Sequence, residues 1–310
     1  MVDHLAVAID ALERGPLAAR LQRGAPLGPL TTYRVGGPAA ALVVLDRPED
    51  ARVLADVLAG CPVDVVVIGM GSNLLVSDDG FDGIAVTLGT GFATIDIDST
   101  TVTAGAAAKL PVVARTTVAA GLTGFEWAVG VPGSIGGAVR MNAGGHGSDM
   151  RDSLLDIRVL DLRAGTVRRR PAHELDLGYR TSALAASDLV LSVRLSLTPG
   201  DPEVGRAEIA EIVQWRREHQ PGGPNAGSVF TNPAGDSAGR LIDTAGLAGL
   251  RIGSAEVSTK HANFIQVDPG GRAADVRRVM DEVRRLVAQT HGVDLHAETV
   301  MIGFPPEQAT

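Results

Sequence analysis

The residues of this chain that could do chemistry fall into two groups: two glycine-rich stretches whose backbone could hold phosphate, and three polar side chains in separate short segments. The first stretch is Val67-Ile68-Gly69-Met70-Gly71-Ser72-Asn73-Leu74-Leu75, in which two glycines and a Ser-Asn pair follow an apolar strand. Consecutive N–H groups in such a turn can form a concave nest for phosphate oxygens, and small residues let a pyrophosphate approach the backbone. It is not the dinucleotide fingerprint, because Leu74-Leu75-Val76 runs on apolar into Asp78-Asp79-Gly80 instead of opening a long helix. A plain tight turn is the competing reading. The second stretch is Gly130-Val131-Pro132-Gly133-Ser134-Ile135-Gly136-Gly137-Ala138, continued by Met141-Asn142-Ala143-Gly144-Gly145. Ordering so many glycines costs entropy, so either a flat ligand lies on this backbone or the stretch is a crossover packed for its own sake.

The three side chains are Arg180 in Gly178-Tyr179-Arg180-Thr181-Ser182, Ser228 in Gly227-Ser228-Val229-Phe230-Thr231-Asn232-Pro233, and Glu298 in an expected C-terminal strand. Each has an ordinary reading: a surface cation, a turn residue, a solvated strand charge. Glu298 would share its strand face with His296, Val300 and Ile302, so an acid there needs a raised pKa or a cationic partner.

These residues need a scaffold, and 310 residues at 45% hydrophobic can build cores for two or three domains. The longest apolar runs, such as Val65-Val66-Val67-Ile68, are of strand length, far below the ~20 residues that span a bilayer. Acidic Asp3 stands where a signal peptide would be basic, so the expectation is a soluble, unprocessed protein with no membrane partner. A single cysteine, Cys61, excludes an internal disulfide and a cysteine metal cluster, and points to a reducing cytoplasm. With net charge −8 and one short basic run, Arg168-Arg169-Arg170, nucleic acid is not an expected partner, and no metal site is expected.

Periodicity predicts a leading helix on Leu5, Ile9 and Leu12, then a β-α-β unit of strand 41–45, helix 48–59 and strand 63–68 that delivers the first glycine loop. Three short strands are expected from 84 to 104, a helix over 110–120, and strands at 154–162, 166–169 and 189–197. Pro199-Gly200-Asp201-Pro202 reads as a linker before a helix over 203–219, and 271–291 is a strongly amphipathic helix. The fold class is α+β with mixed or antiparallel sheets.

In register over nearly the whole chain, Thr32-Tyr33-Arg34-Val35-Gly36-Gly37, Gly69–Leu75, Val131–Gly137, Asn142–Gly144, Tyr179-Arg180, Gly227–Phe230, Lys260-His261-Ala262-Asn263-Phe264-Ile265 and Glu298 resemble the UDP-N-acetylenolpyruvoylglucosamine reductase family. The short interval from Arg180 to Ser228 resembles the compact subtype, which lacks a loop that covers substrate. The resemblance implies an FAD-binding domain of the vanillyl-alcohol-oxidase type in two subdomains, residues 1–83 and 84–200, and an α+β substrate domain, residues 201–310. It implies FAD held by Gly69, Met70, Gly71, Ser72, Asn73, Leu74, Pro132, Gly133, Ser134, Gly136, Gly137, Ala138, Asn142, Ala143 and Gly144. NADPH is the implied electron source, and the enolpyruvyl ether of UDP-N-acetylglucosamine the implied small-molecule substrate, in peptidoglycan precursor synthesis.

By the same resemblance, Arg180 and Glu298 stabilise a developing enolate and Ser228 donates the proton, with Tyr179, Asn232, Lys260 and Asn263 on the substrate side. A guanidinium has the planar fork a carboxylate wants, and a carbanion is basic enough to take a serine proton. The chain departs from the pattern at Thr231, where lysine is common, and at Gly145-His146, where Ala-Tyr is common; Arg140 reads as a surface variation. Two other readings are an oxidase of the same fold and a flavin- or nucleotide-sugar-binding module. The first would tether FAD through His or Cys in a glycine loop, where Cys61 does not sit, and the second would dispense with Arg180, Ser228 or Glu298, all of which are present.

Overall fold

A computed structural model describes residues 3–59 and 61–305. The chain forms two compact units, each discontinuous in sequence: residues 1–23, 40–70 and 83–216, and residues 24–39, 71–82 and 217–310.

In the first unit, helix α1 (His4–Arg14) buries Ala8, Ile9 and Leu12, and Asp3 caps it by accepting from the Ala6 N–H at 3.0 Å. Helix α2 (Pro48–Leu58) buries Ala51, Leu54, Ala55 and Leu58 in the same core, and the Asp50 carboxylate folds back onto the N–H groups of Asp46 and Arg47. The sheet beside them runs in the order Leu21–Pro26, Pro38–Leu45, Phe81–Leu88, Val65–Ile68. Phe81–Leu88 therefore separates the two strands of the expected β-α-β unit, lying parallel to Val65–Ile68 with Val65 opposite Ile84. Its Ile84, Ala85 and Val86 are all 0% exposed, and that continuous burial is what an interior parallel strand supplies.

The second sheet of this unit is antiparallel throughout, in the order Thr166–Pro171, Leu154–Asp161, Asp188–Ser196, Thr101–Gly105, Ile95–Asp98. Helix α3 (Leu110–Ala119) packs into its core through Val113, Ala114 and Val118. The short helices α4 (Ile135–Arg140) and α5 (Met150–Ser153) follow the second glycine stretch, and α6 (Pro202–His219) starts at the expected linker.

In the second unit, helix α7 (Ala238–Thr244) and helix α8 (Ala273–His291) pack with the antiparallel strands Arg251–Ile252, Ala255–Val257 and Ile265–Val267. The expected apolar face of α8 is the buried one, with Val276, Val279, Met280, Val283 and Val287 at 0–1% exposure. Asp78 accepts from the Ala273 and Ala274 N–H groups at 2.9 and 3.0 Å, and Gly292 at φ 68 ends the helix in the left-handed conformation. Leu74–Val76 pairs in parallel with Val300–Ile302, Leu74 opposite Val300. Among the described residues no helix is long and apolar enough to cross a membrane.

Candidate active site

The first glycine loop leaves the strand Val65–Ile68, and its backbone N–H groups at Met70, Gly71, Ser72 and Asn73 donate to no acceptor among the described residues. Four adjacent uncommitted donors need water or an anion, which is the fit a pyrophosphate makes. Gly71 has φ +60, and a Cβ on it would lie 2.1 Å from the Leu30 carbonyl oxygen, so its glycine is demanded by backbone packing. The same holds for Gly136, where a Cβ would meet Ala106 at 2.8 Å, and for Gly144, where it would meet Asp149 and Ser148 at 2.5 Å. Gly137 differs: a Cβ there would touch only Ser134 Oγ, at 3.5 Å, and the residue is exposed.

Gly69, Met70, Ser134, Gly136 and Gly137 line one open cleft of the first unit, with a cavity volume of about 110 Å³. Its walls are apolar, from Val67, Ile68, Leu88, Ala106, Ala107 and Val190, and its polar end is Arg140 with Asp188. Gly69 and Met70 of the first glycine loop and Ser134, Gly136 and Gly137 of the second stretch thus meet in one largely apolar slot, and these residues fit a dinucleotide cofactor such as FAD. Pro132, Gly133, Ala138, Asn142, Ala143 and Gly144 do not line the slot; Ala138 is in the core, and the Gly133 carbonyl accepts from Leu110.

Arg140 is not the surface variation expected. It is half-buried, and its Nη atoms donate to the carbonyl oxygens of Leu184, Ala185 and Asp188, the last at 2.6 Å. Burial pushes its pKa down, with nearby Asp188 opposing. Backbone carbonyls have no side-chain signature, so spacing could not have found this site.

Asn142 is 1% exposed at φ 37, and its side chain is fully committed. It donates to Asp149 Oδ2 at 3.1 Å and to the Gly178 carbonyl at 2.9 Å, and accepts from the Arg151 N–H at 3.0 Å. It therefore ties the second glycine stretch to the turn Gly178–Thr181. On that turn Arg180 stands at φ 58, donates to the Gly144 carbonyl at 3.1 Å and lies 5.2 Å from the Tyr179 ring, while Tyr179 is exposed. His146 packs edge-on against Trp215 at 5.2 Å, and burial, then Arg216, lower its pKa.

In the second unit, Ser228 and Glu298 flank one backbone hydrogen bond: the Glu298 N–H donates to the Val229 carbonyl at 2.7 Å. Glu298 sits in the bend before the strand Val300–Ile302 and not within it, because its N–H is spent on Val229 and strand pairing begins only at Val300. Asn73 holds this bend from the other side, donating to the Glu298 carbonyl at 2.9 Å and accepting from the Val300 N–H at 3.0 Å. The Ser228 hydroxyl is half-buried and makes no hydrogen bond among the described residues.

Asn263, 3% exposed, clamps the serine segment: it accepts from the Phe230 N–H at 3.0 Å and donates to the Phe230 carbonyl at 2.8 Å, while its own carbonyl accepts from Val229. Asn232 accepts from the Ala238 N–H at the start of α7, Thr231 bonds the His296 carbonyl through N and Oγ1, and exposed Lys260 donates to the Arg217 carbonyl. No cluster of His, Cys, Asp or Glu fit for a metal occurs among the described residues.

Residues 39–170 match the sequence model of an FAD-binding domain, and residues 218–302 match that of the UDP-N-acetylenolpyruvoylglucosamine reductase C-terminal domain. A curated UDP-N-acetylenolpyruvoylglucosamine reductase of Paramagnetospirillum magneticum is 46% identical over 298 residues, 95% of each chain. One of Bacillus velezensis is 39% identical, covering 90% of this chain and 92% of its own. The crystal structure of the UDP-N-acetylenolpyruvylglucosamine reductase of Thermus caldophilus superposes with a TM-score of 0.80 at 36% identity, over 91% of this chain and 99% of the other.

Proposed function

The chain belongs to the UDP-N-acetylenolpyruvoylglucosamine reductase family, and on that premise we propose which of its residues carry the reduction. It is an FAD-dependent oxidoreductase that uses NADPH and serves peptidoglycan precursor synthesis. Its substrate is the enolpyruvyl ether of UDP-N-acetylglucosamine, converted to the lactyl ether of UDP-N-acetylmuramate. When bound, FAD supplies the hydride it has taken from NADPH.

Hydride addition at the methylene carbon leaves negative charge on the adjacent carbon and its carboxylate, and the residues of this chain answer that charge. Ser228 gives the proton to that carbon; among the described residues its hydroxyl has no acceptor to compete for it. Glu298, held in register with Ser228 through Val229, and Arg180, with its planar donor fork, stabilise the enolate. The Glu298 to Val229 hydrogen bond is the observation that carries this reading, because it fixes the candidate acid and the candidate proton donor on neighbouring backbone. The amides of residues 70–73 and the slot residues hold the cofactor, while Tyr179, Asn232 and Lys260 contact the sugar nucleotide. A nucleotide-linked substrate and a lone thiol, Cys61, suit the cytoplasm.

Stopped-flow kinetics separates the two halves of the reaction. Ser228→Ala should leave flavin reduction by NADPH within about twofold, and slow reoxidation by the enolpyruvyl substrate by roughly 10²–10⁴-fold, the span of one positioned proton donor. Equal slowing of both halves would make Ser228 structural.

A further inference from the structure

The slot has a polar group that the glycine loops do not explain. It is a single cation, Arg140, whose guanidinium is fixed by four hydrogen bonds to three backbone carbonyls. A side chain tethered this way has lost its rotamer freedom before any ligand arrives, so a ligand need not meet that cost. No carboxylate neutralises Arg140 at contact distance among the described residues. Asp188, which lines the same end, turns its Oδ2 to the Ala185 N–H at 2.9 Å and faces Arg170 at 3.5 Å. Arg140 Nε has no protein hydrogen-bond partner among the described residues, and burial works against the charge.

A partly buried cation without a contact counter-ion needs an anion or a π-face to offset its lost hydration. In the same slot Ile68, Leu88, Ala106 and Val190 supply apolar walls, which suit a purine ring. The Asp188 carboxylate is an acceptor for hydroxyl or amino hydrogens at the same end. FAD carries two dissimilar halves, and every residue of this slot lies in the first unit, whereas Ser228 and Glu298 lie in the second.

We infer that Arg140 is a cofactor-binding residue that recognises the adenosine monophosphate half of FAD, by its charge against phosphate and by its plane against the base. This rests on the assignment of the slot to FAD. It gives a role to a residue outside the motifs that carry the family resemblance.

The test measures flavin affinity, not turnover. Apo-protein is titrated with FAD and with FMN, which lacks the adenosine half, following the quenching of flavin fluorescence. Arg140→Met, which keeps length and apolar area, should weaken FAD binding about tenfold or more, as expected for loss of a charge-assisted contact, and change FMN binding less than about twofold. Adenosine monophosphate should compete with FAD on the unsubstituted protein and lose that competition in the variant. If Arg140→Met disturbs the 184–188 carbonyls and lowers the melting temperature, Arg140→Lys keeps a tethered cation without the planar fork. It should then show the same FAD-selective loss at smaller size. Equal losses for FAD and FMN, or no loss in either variant, would overturn the inference. A variant that binds FAD normally in a protein still reduced by NADPH sinks the role of Arg140 alone. Unsubstituted protein that binds no flavin sinks the slot assignment with it.

Discussion

At the residue scale, the site is built as much by side chains that serve the backbone as by those that face a ligand. Asn142 and Asn263 lie on motifs shared with the family, and the sequence suggests contact with cofactor and substrate; each is instead buried with both ends of its amide on protein atoms. An asparagine in a motif looks the same whether its amide points inward or outward, which is why composition and spacing could not separate the two roles. Asn263→Ala should strip Phe230 of two buried partners and cost about 2–4 kcal/mol, read by urea unfolding of the holoenzyme. Stability unchanged with a raised KM for the sugar nucleotide would instead make Asn263 a direct substrate contact.

At the scale of elements, the long ones were legible and the short ones were not. Helix α8 shows its buried stripe over five turns of sequence, and the strands from 81 to 105 fall where turn residues predict them. Strands of two or three residues, as at 251–257, hold too few positions for alternation to register, and α7 is barely two turns. The start of α8 also carries a pH signature. Asp275 accepts from the N–H and Oγ of Ser254 at 2.8 and 2.7 Å and pairs with Arg278, and these hydrogen bonds hold its pKa down to about 2. A depressed carboxyl pKa favours the fold above the ordinary aspartate value of about 3.9, and that contribution disappears as pH falls from about 4 through about 2. Asp275→Asn should therefore cost about 1–3 kcal/mol at pH 7, with the gap to the unsubstituted protein closing between pH 4 and pH 2 in thermal melts. A gap that stays constant across that range would remove the carboxylate from the explanation.

At the scale of the whole molecule, sequence order and compact units part company. The division into FAD-binding subdomains 1–83 and 84–200 and a substrate domain 201–310 is a proposal about function; by contact the chain gathers into two units that share it among six segments. Such interleaving leaves no local pattern, because the pairing of Leu74 with Val300 is invisible in either segment alone. Gly71 opens the segment 71–82 of the second unit. Gly71→Ala adds a Cβ at positive φ against the Leu30 carbonyl and should cost about 2–4 kcal/mol. Purified variant should also carry less FAD per chain than the unsubstituted protein, measured by flavin absorbance after denaturation. Full flavin content at normal stability would show that the loop tolerates a side chain there.

The grip of Asn73 on Glu298 spans 225 residues, and it sets a clock on synthesis. At about 5–20 residues per second, roughly 10–45 s pass on the ribosome between making the first glycine loop and making the bend that completes its far side. Through that interval the apolar Leu74–Val76 is without the strand that pairs with it. The loop that is made early is finished late, so a nascent chain gains the pairing and the bend that anchor residues 73–76 only after Ile302 has been added, and pulse-labelled chains halted short of that residue should hold FAD more weakly than the full chain.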